Sequence, residues 1–277
     1  MRVTMQMPKV LLISSTVASS RVGASAAGFC LERLGIETIT LPTTLMGRHP
    51  GWGDPGGGAV STQRLQDMWV AISKQNLNFD AVLTGYMGET GHIDLCTDII
   101  ADLKSRHSDI EIWVDPVMGD HGQLYISEDR ANALRDKLIP LADCITPNLW
   151  ELSWLTGKPL KTPDAIRHAI EPFEKALITS VPDGEKIGAV WSSKTANLMC
   201  SHQRFENVPH GGGDSLSAIL LAHHLWGREE RMALMRALGS IFDIMKAAQE
   251  MNATELPLIR CQDALIRPNR LDVSDYA

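Results

Sequence analysis

Asp214 follows three glycines, Gly211, Gly212 and Gly213, in the stretch HGGGDSLSAILLAHHLW, and the residues after it read as a helix. A helix begins with backbone N–H groups that have no intrahelical partner, and glycines let an anion approach them closely. The stretch therefore offers a site for an anion such as a phosphate, with a lone carboxylate at its mouth. The same pattern also describes a loop ending in an Asp cap, and taken alone the stretch leaves both readings open.

Two more stretches hold candidate chemistry. VDPVMGDHGQLY sets Asp115 at the end of an apolar run, with Pro116 stopping it. TPNLWELSWLTG sets Asn148 and Glu151 three apart on one face of a short helix. The first is also a common turn, and the second is also a helix cap with its N3 glutamate. Two carboxylates on neighbouring strand ends are what a hydrated Mg²⁺ carrying nucleotide phosphates would need. GWGDPG, residues 51–56, formally matches the dinucleotide fingerprint G-x-G-x-x-G. No strand precedes it and Pro55 stands where a helix should start, so it reads as loop.

The elements that must position these residues follow from periodicity. Short apolar runs predict strands over 9–15, 36–43, 79–86, 110–116, 143–148 and 175–180. Amphipathic stretches between them predict helices over 22–35, 61–76, 92–107, 129–142, 148–157 and 162–173. Such alternation implies parallel strands joined by crossover helices, with both sheet faces covered. After Ser180 the pattern changes to an antiparallel pair, 186–193 with 196–208, and then to two long helices. GRHPGWGDPGGGAV, residues 47–60, reads as a long loop of the kind used as a lid. In open α/β sheets ligands bind beyond the carboxyl ends of the strands. There the predicted strands place Ser14 and Ser15, Thr84 to Tyr86, Asp115, Thr146 to Asn148, and Thr179 with Ser180.

Composition narrows the partners. The chain has 277 residues, 44% hydrophobic and 21% charged, as expected of a globular protein with a proper core. A formal net charge of −7 and the absence of any basic run argue against nucleic acid and against an anionic membrane surface. Five cysteines without a C-x-x-C pair suggest buried thiols in a reducing cytoplasm rather than a disulfide framework. The N-terminal apolar run is too short to span a membrane and lacks a signal-peptide core. A cytoplasmic location is expected.

Taken together, SSRVGASAAGFCLERLG, FDAVLTGYMG, VDPVMGDHG, ITPNLWEL and GGGDSLSAILLAHHLWG resemble the ribokinase-like superfamily, and within it the pyridoxal (vitamin B6) kinases. They keep the family's order and spacing from about Lys9 to the QDALIRP tail. The resemblance implies an α/β fold, a three-layer αβα sandwich with a mostly parallel central sheet. It implies one kinase domain over 1–277, with a substrate-covering loop at about 45–60. The implied activity is ATP-dependent phosphorylation of the 5′-hydroxymethyl group of pyridoxal, or of another B6 vitamer, to the 5′-phosphate.

The resemblance also assigns roles. Gly211, Gly212, Gly213 and Asp214 correspond to the family's G-T-G-D anion hole, with Asp214 as the catalytic base facing the substrate. Asp115 and Glu151, with Asn148, correspond to the Mg²⁺–nucleotide region, and Thr146, Thr179 and Ser180 line the ATP site. Ser15 and Tyr86 correspond to residues around the pyridine ring, and His49 to one in the covering loop. A monovalent cation and a homodimer are further expectations. Two positions depart from the family: Gly212 replaces its threonine, and Pro50 and Gly51 replace a Thr-Gln pair in the lid. A hydroxymethylpyrimidine kinase is the alternative enzyme, and a non-catalytic vitamer- or nucleotide-binding relic is the alternative of another class.

Overall fold

The structure, a computed structural model, describes residues 7–206 and 209–276. Asn207 and Val208, which end the predicted 196–208 segment, lie outside the described residues. Among the described residues twelve strands are formed: β1 (Lys9–Val17), β2 (Glu37–Met46), β3 (Gly58–Ala59), β4 (Ala81–Thr84), β5 (Glu111–Val114), β6 (Gly119–Asp120), β7 (Gln123–Leu124), β8 (Cys144–Ile145), β9 (Lys175–Asp183), β10 (Lys186–Ser192), β11 (Asn197–Gln203) and β12 (Val273–Asp275). Ten of them make one sheet in the order β12-β11-β10-β9-β8-β5-β4-β1-β2-β3, and β6 and β7 make a separate hairpin. The six strands from β9 to β2 run parallel; β3 and the β10–β12 end are antiparallel.

The helices are α1 (Ala24–Arg33), α2 (Thr62–Ser73), α3 (Thr90–Arg106), α4 (Glu128–Ala133), α5 (Leu149–Thr156), α6 (Pro163–Ile170), α7 (Gly212–Leu225), α8 (Glu230–Glu250) and α9 (Gln262–Ile266). Side chains alternate between the two faces of each strand. Leu11 and Ile13 of β1 therefore join a core with α2 to α6, while Val10 and Leu12 join a second core with α1, α7, α8 and α9. This is the expected three-layer αβα sandwich. Both faces of the parallel strands are covered, which is why they read as continuous apolar runs.

Several local expectations change. The predicted 129–142 helix is α4 followed by a π-helical segment (Leu134–Leu138) and a 3₁₀ turn (Ile139–Leu141), because Pro140 cannot continue an α-helical ladder. The 47–60 loop is not wholly irregular: it holds a 3₁₀ turn, Pro50–Trp52, and ends in β3, which pairs with β2. GWGDPG lies within that loop and starts no α-helix. Among the described residues no helix is long and apolar enough to cross a membrane.

Candidate active site

Gly211 is the N-cap of α7 and adopts φ 97°. A side chain there is excluded twice, by that left-handed backbone and because a Cβ would lie 2.0 Å from the Arg21 carbonyl oxygen. The first intrahelical bond runs from Ser215 N–H to the Gly211 carbonyl, 3.0 Å. The N–H groups of Gly212, Gly213 and Asp214 are therefore left outside the helical ladder, with the positive end of the helix dipole behind them. Asp214 is half-buried. Burial pushes its carboxyl above the ordinary range, against the pull of the Gly23 N–H and its own N–H. Gly23, at φ 54°, packs so tightly on Ser15 that a Cβ would meet Ser15 Oγ at 2.2 Å.

The neighbouring strand ends converge as expected. Backbone bonds carry the ladder one residue past the strands, from Gly85 N–H to Ile13, Asp115 N–H to Thr84, and Thr146 N–H to Val114. Ser217 Oγ on α7 lies 3.1 Å from Asp115 Oδ2 and 2.9 Å from Thr146 Oγ1. Asp115 is buried, and burial followed by the charges of Glu151 and Asp214 raises its carboxyl well above the ordinary range. A small cavity is lined by Ser14, Thr84, Gly85, Asp115, Asp214 and Ser217. Ser14 Oγ and Thr84 Oγ1 are buried there without a protein partner. A wider groove, lined by Arg167, Glu171, Phe173, Ser193 and Lys194 among others, holds none of the predicted site residues.

Asn148 and Glu151 behave differently from the expectation of two side chains on one helical face. Asn148 is the N-cap of α5, and the two residues form a reciprocal capping box. Glu151 Oε2 accepts from Asn148 N–H at 2.9 Å, and Oε1 accepts from Met118 N–H at 2.8 Å and Gly119 N–H at 3.3 Å. Asn148 Nδ2 donates to the Gly119 carbonyl at 2.9 Å. The pair thus fixes the corner that follows Asp115. Burial raises Glu151 to about 7 against these N–H donors. Among the described residues no group of three or more His, Cys, Asp or Glu is arranged to hold a metal ion.

Two predicted strand ends are bulges instead. β9 runs on past Thr179 and Ser180, which fall where its register with β10 slips and where Ser180 takes φ 60°. The bulge, together with the Thr179 N–H bond to the Pro147 carbonyl at 3.0 Å, sets this pair beside Thr146. β1 likewise runs on to Val17, and its register with β2 slips around buried Ser15. Tyr86 is half-buried, with its hydroxyl 3.3 Å from Arg130 Nη1. His49 caps the 50–52 turn, accepting from Gly51 N–H at Nδ1. Its ring stacks on His210, with centroids 4.5 Å apart and planes 20° apart. No hydrogen bond or ring contact among the described residues joins His49 to Ser15 or Tyr86.

Gly23, Ser217, Arg130 and His210 are the neighbours that periodicity missed. Ser217 had a local signal, three residues after Asp214 on the same helical face, and His210 had another, directly before Gly211. The Gly212 departure also has a structural counterpart: a Cβ at that position would meet Met245 Cε at 2.3 Å. Met245 fills the space a threonine would use.

The family model for phosphomethylpyrimidine kinase matches residues 59–258. Pyridoxal kinase PdxY of Leifsonia xyli is 31% identical over 276 residues, covering 94% of this chain and 96% of the relative. Pyridoxal kinase PdxY of Corynebacterium diphtheriae is 29% identical over 94% of this chain and 96% of its own length. The crystal structure of pyridoxal kinase from Entamoeba histolytica superposes with a TM-score of 0.91 at 25% identity, covering 98% of this chain and 100% of that one. The sheet order, the αβα layering and the carboxylate-bearing edge thus agree with sequence likeness along nearly the whole chain, which belongs to the pyridoxal kinases of the ribokinase-like fold.

Proposed function

We propose that this kinase moves the γ-phosphoryl group of ATP to the 5′-hydroxymethyl group of pyridoxal, with Asp214 as the base. The observation that carries the reading is the position of Asp214, beside the open N–H groups of α7 and on the cavity shared with Asp115. A primary alcohol is a poor nucleophile, so a carboxylate must take its proton as it attacks. The hydroxyl oxygen bonds to the γ-phosphorus while the bond to the β–γ bridging oxygen breaks. The proton goes to Asp214, and ADP leaves with the electron pair. The N–H groups of Gly212 and Gly213 favour the negative charge on the transferring oxygens.

Mg²⁺ belongs to the same proposal. Asp115 carries the repulsion of Glu151 and Asp214, and none of the three is in an ion pair among the described residues. That surplus of negative charge suits a divalent cation. Because Glu151 already accepts three backbone N–H groups, it suits contact through the ion's water shell rather than direct ligation. When bound, Mg²⁺ neutralises phosphate charge. Thr146, Thr179, Ser180 and Asn148 are proposed on the nucleotide side, and Ser15, Tyr86 and His49 on the ring side.

The remaining assignments rest on the resemblance. A single kinase domain with a lid at 45–60 is supported by the one continuous main sheet. A cytoplasmic setting is supported by free cysteines, four of them buried. A homodimer is tested by sedimentation, and a monovalent cation by exchanging K⁺ for tetramethylammonium. The phosphomethylpyrimidine kinase description of the matching family keeps the pyrimidine reading as a second one. Product analysis after incubation with ATP, Mg²⁺ and either B6 vitamers or hydroxymethylpyrimidine separates them. Pyridoxal 5′-phosphate is the expected product, and exclusive phosphorylation of the pyrimidine overturns the proposal.

A further inference from the structure

The lid is anchored at its base and has little to hold its tip. Gly47 and Arg48 N–H both bond the Pro55 carbonyl, Val60 N–H bonds Thr43, and His92 Nε2 lies 2.7 Å from the Val60 carbonyl. Between these anchors the loop is glycine- and proline-rich, no residue of its 3₁₀ turn is buried, and Trp52 is 51% exposed. Among the described residues, the ring contact that reaches across from the lid to the α7 mouth is the stacked pair of His49 and His210.

His210 is well placed to carry such a contact, because it directly precedes Gly211. That corner is stiff. Gly211 packs on the Arg21 carbonyl, and Glu255 fixes the Arg21 segment by accepting from Ser20 Oγ at 2.9 Å and Arg21 N–H at 3.2 Å. On the lid side, His49 is oriented by Gly51 N–H at its Nδ1, 3.1 Å. A Cβ at Gly51 would lie 3.0 Å from His49 Nδ1 and 3.4 Å from its Cε1, whereas His210 Nε2, at 4.0 Å, is in ordinary contact range. A glycine at 51 therefore lets the His49 ring keep the orientation in which it stacks on His210.

We propose that His210 is a positioning residue: it seats the lid histidine against the anion-hole corner and so sets how well the lid retains the substrate. The proposal rests on the kinase reading given above. Ring stacking of this kind is worth a roughly 2- to 10-fold change in an equilibrium. The lid holds the substrate side of the site, so the change falls on KM for pyridoxal more than on kcat.

The test combines kinetics with a readout that needs no substrate. Trypsin nicking after Arg48, an exposed lid residue, reports how often the lid leaves its seat. His210→Ala should raise KM for pyridoxal and quicken nicking at Arg48 by roughly 2- to 10-fold. His210→Phe, which keeps a ring, should restore both. In a His49→Ala background, His210→Ala should add little to either readout, as for two partners in one contact. The His49 arm also serves if His210→Ala folds poorly. The idea is overturned if His210→Ala changes kcat alone with nicking unmoved, or if His210→Phe behaves like the alanine variant. Because nicking is read on the free protein, a failure of the vitamer assignment would leave this outcome readable by itself.

Discussion

The two ends of β5 carry carboxylates with opposite fates. At its start, Glu111 accepts both contacts of Lys175 Nζ, at 2.7 and 2.8 Å, and meets Trp113 Nε1 at 3.2 Å and His224 Nε2 at 3.2 Å. Burial alone would raise its carboxyl, but the hydrogen bonds and charges of His224 and Lys175 outweigh that and hold it at about 2. Just beyond the other end, Asp115 has a hydroxyl partner in Ser217 and two carboxylate neighbours, and is pushed the other way. One end of the sheet is satisfied and holds the fold. The other keeps carboxylates that form no ion pair among the described residues, a pattern expected where function outranks stability.

Removing the satisfied carboxylate should have the largest effect on stability. Glu111→Gln is expected to destabilise the protein by on the order of 2 kcal/mol at neutral pH, measured by denaturant unfolding. The sign follows from the depressed value. The contribution is present above the ordinary glutamate value of 4.5 and is lost as pH falls towards about 2. The variant should therefore lose that part of the wild-type acid-unfolding curve, with activity per folded molecule retained. An unchanged unfolding midpoint would erase the contrast.

Glu151 lies between the two extremes. Glu151→Gln places an amide NH₂ where a backbone N–H now points, at a cost of about 1–2 kcal/mol. It also removes a buried charge whose raised titration opposes folding, so the net change in stability should be small. It should also shift the Mg²⁺ activation midpoint to higher concentration. A stability loss with an unmoved Mg²⁺ curve would reduce Glu151 to its capping role.

The active end should respond in the opposite sense. Asp115→Asn removes a charge whose raised titration marks it as destabilising at neutral pH, so Tm should rise by roughly 1–3 °C while kcat falls. A lower Tm would show that the carboxylates there are as well satisfied as Glu111.

The smallest effect concerns Gly212. A threonine there must displace Met245, so Gly212→Thr alone is expected to lower kcat by no more than about 10-fold, and Met245→Ala should recover the loss. Non-recovery would mean that the hydroxyl or the backbone, and not the space, decides.

Much of this contrast is legible in the sequence alone. Strand–helix alternation located the parallel sheet, and the ends of its strands located Asp115, Thr146 and the Ser14–Ser15 pair. The glycines marked the mouth of α7. What stayed hidden was mostly non-local. Gly23 beside Asp214 and Glu255 behind Arg21 come from distant segments that meet only through crossover connections. The bulges at Ser15 and Thr179–Ser180 depend on register with a neighbouring strand, which a single strand's pattern does not encode. Glu151 was readable as a cap from the N-x-x-E spacing, but its two bonds to the Met118–Gly119 corner were not.

The central claim is that Asp214 takes the substrate proton, and single-turnover phosphorylation of pyridoxal by Asp214→Asn tests it most directly, with ATP affinity measured on the same protein. The account predicts a transfer rate lower by roughly 10²- to 10⁴-fold with ATP affinity retained. Transfer at the wild-type rate by a folded, ATP-binding Asp214→Asn protein would contradict it.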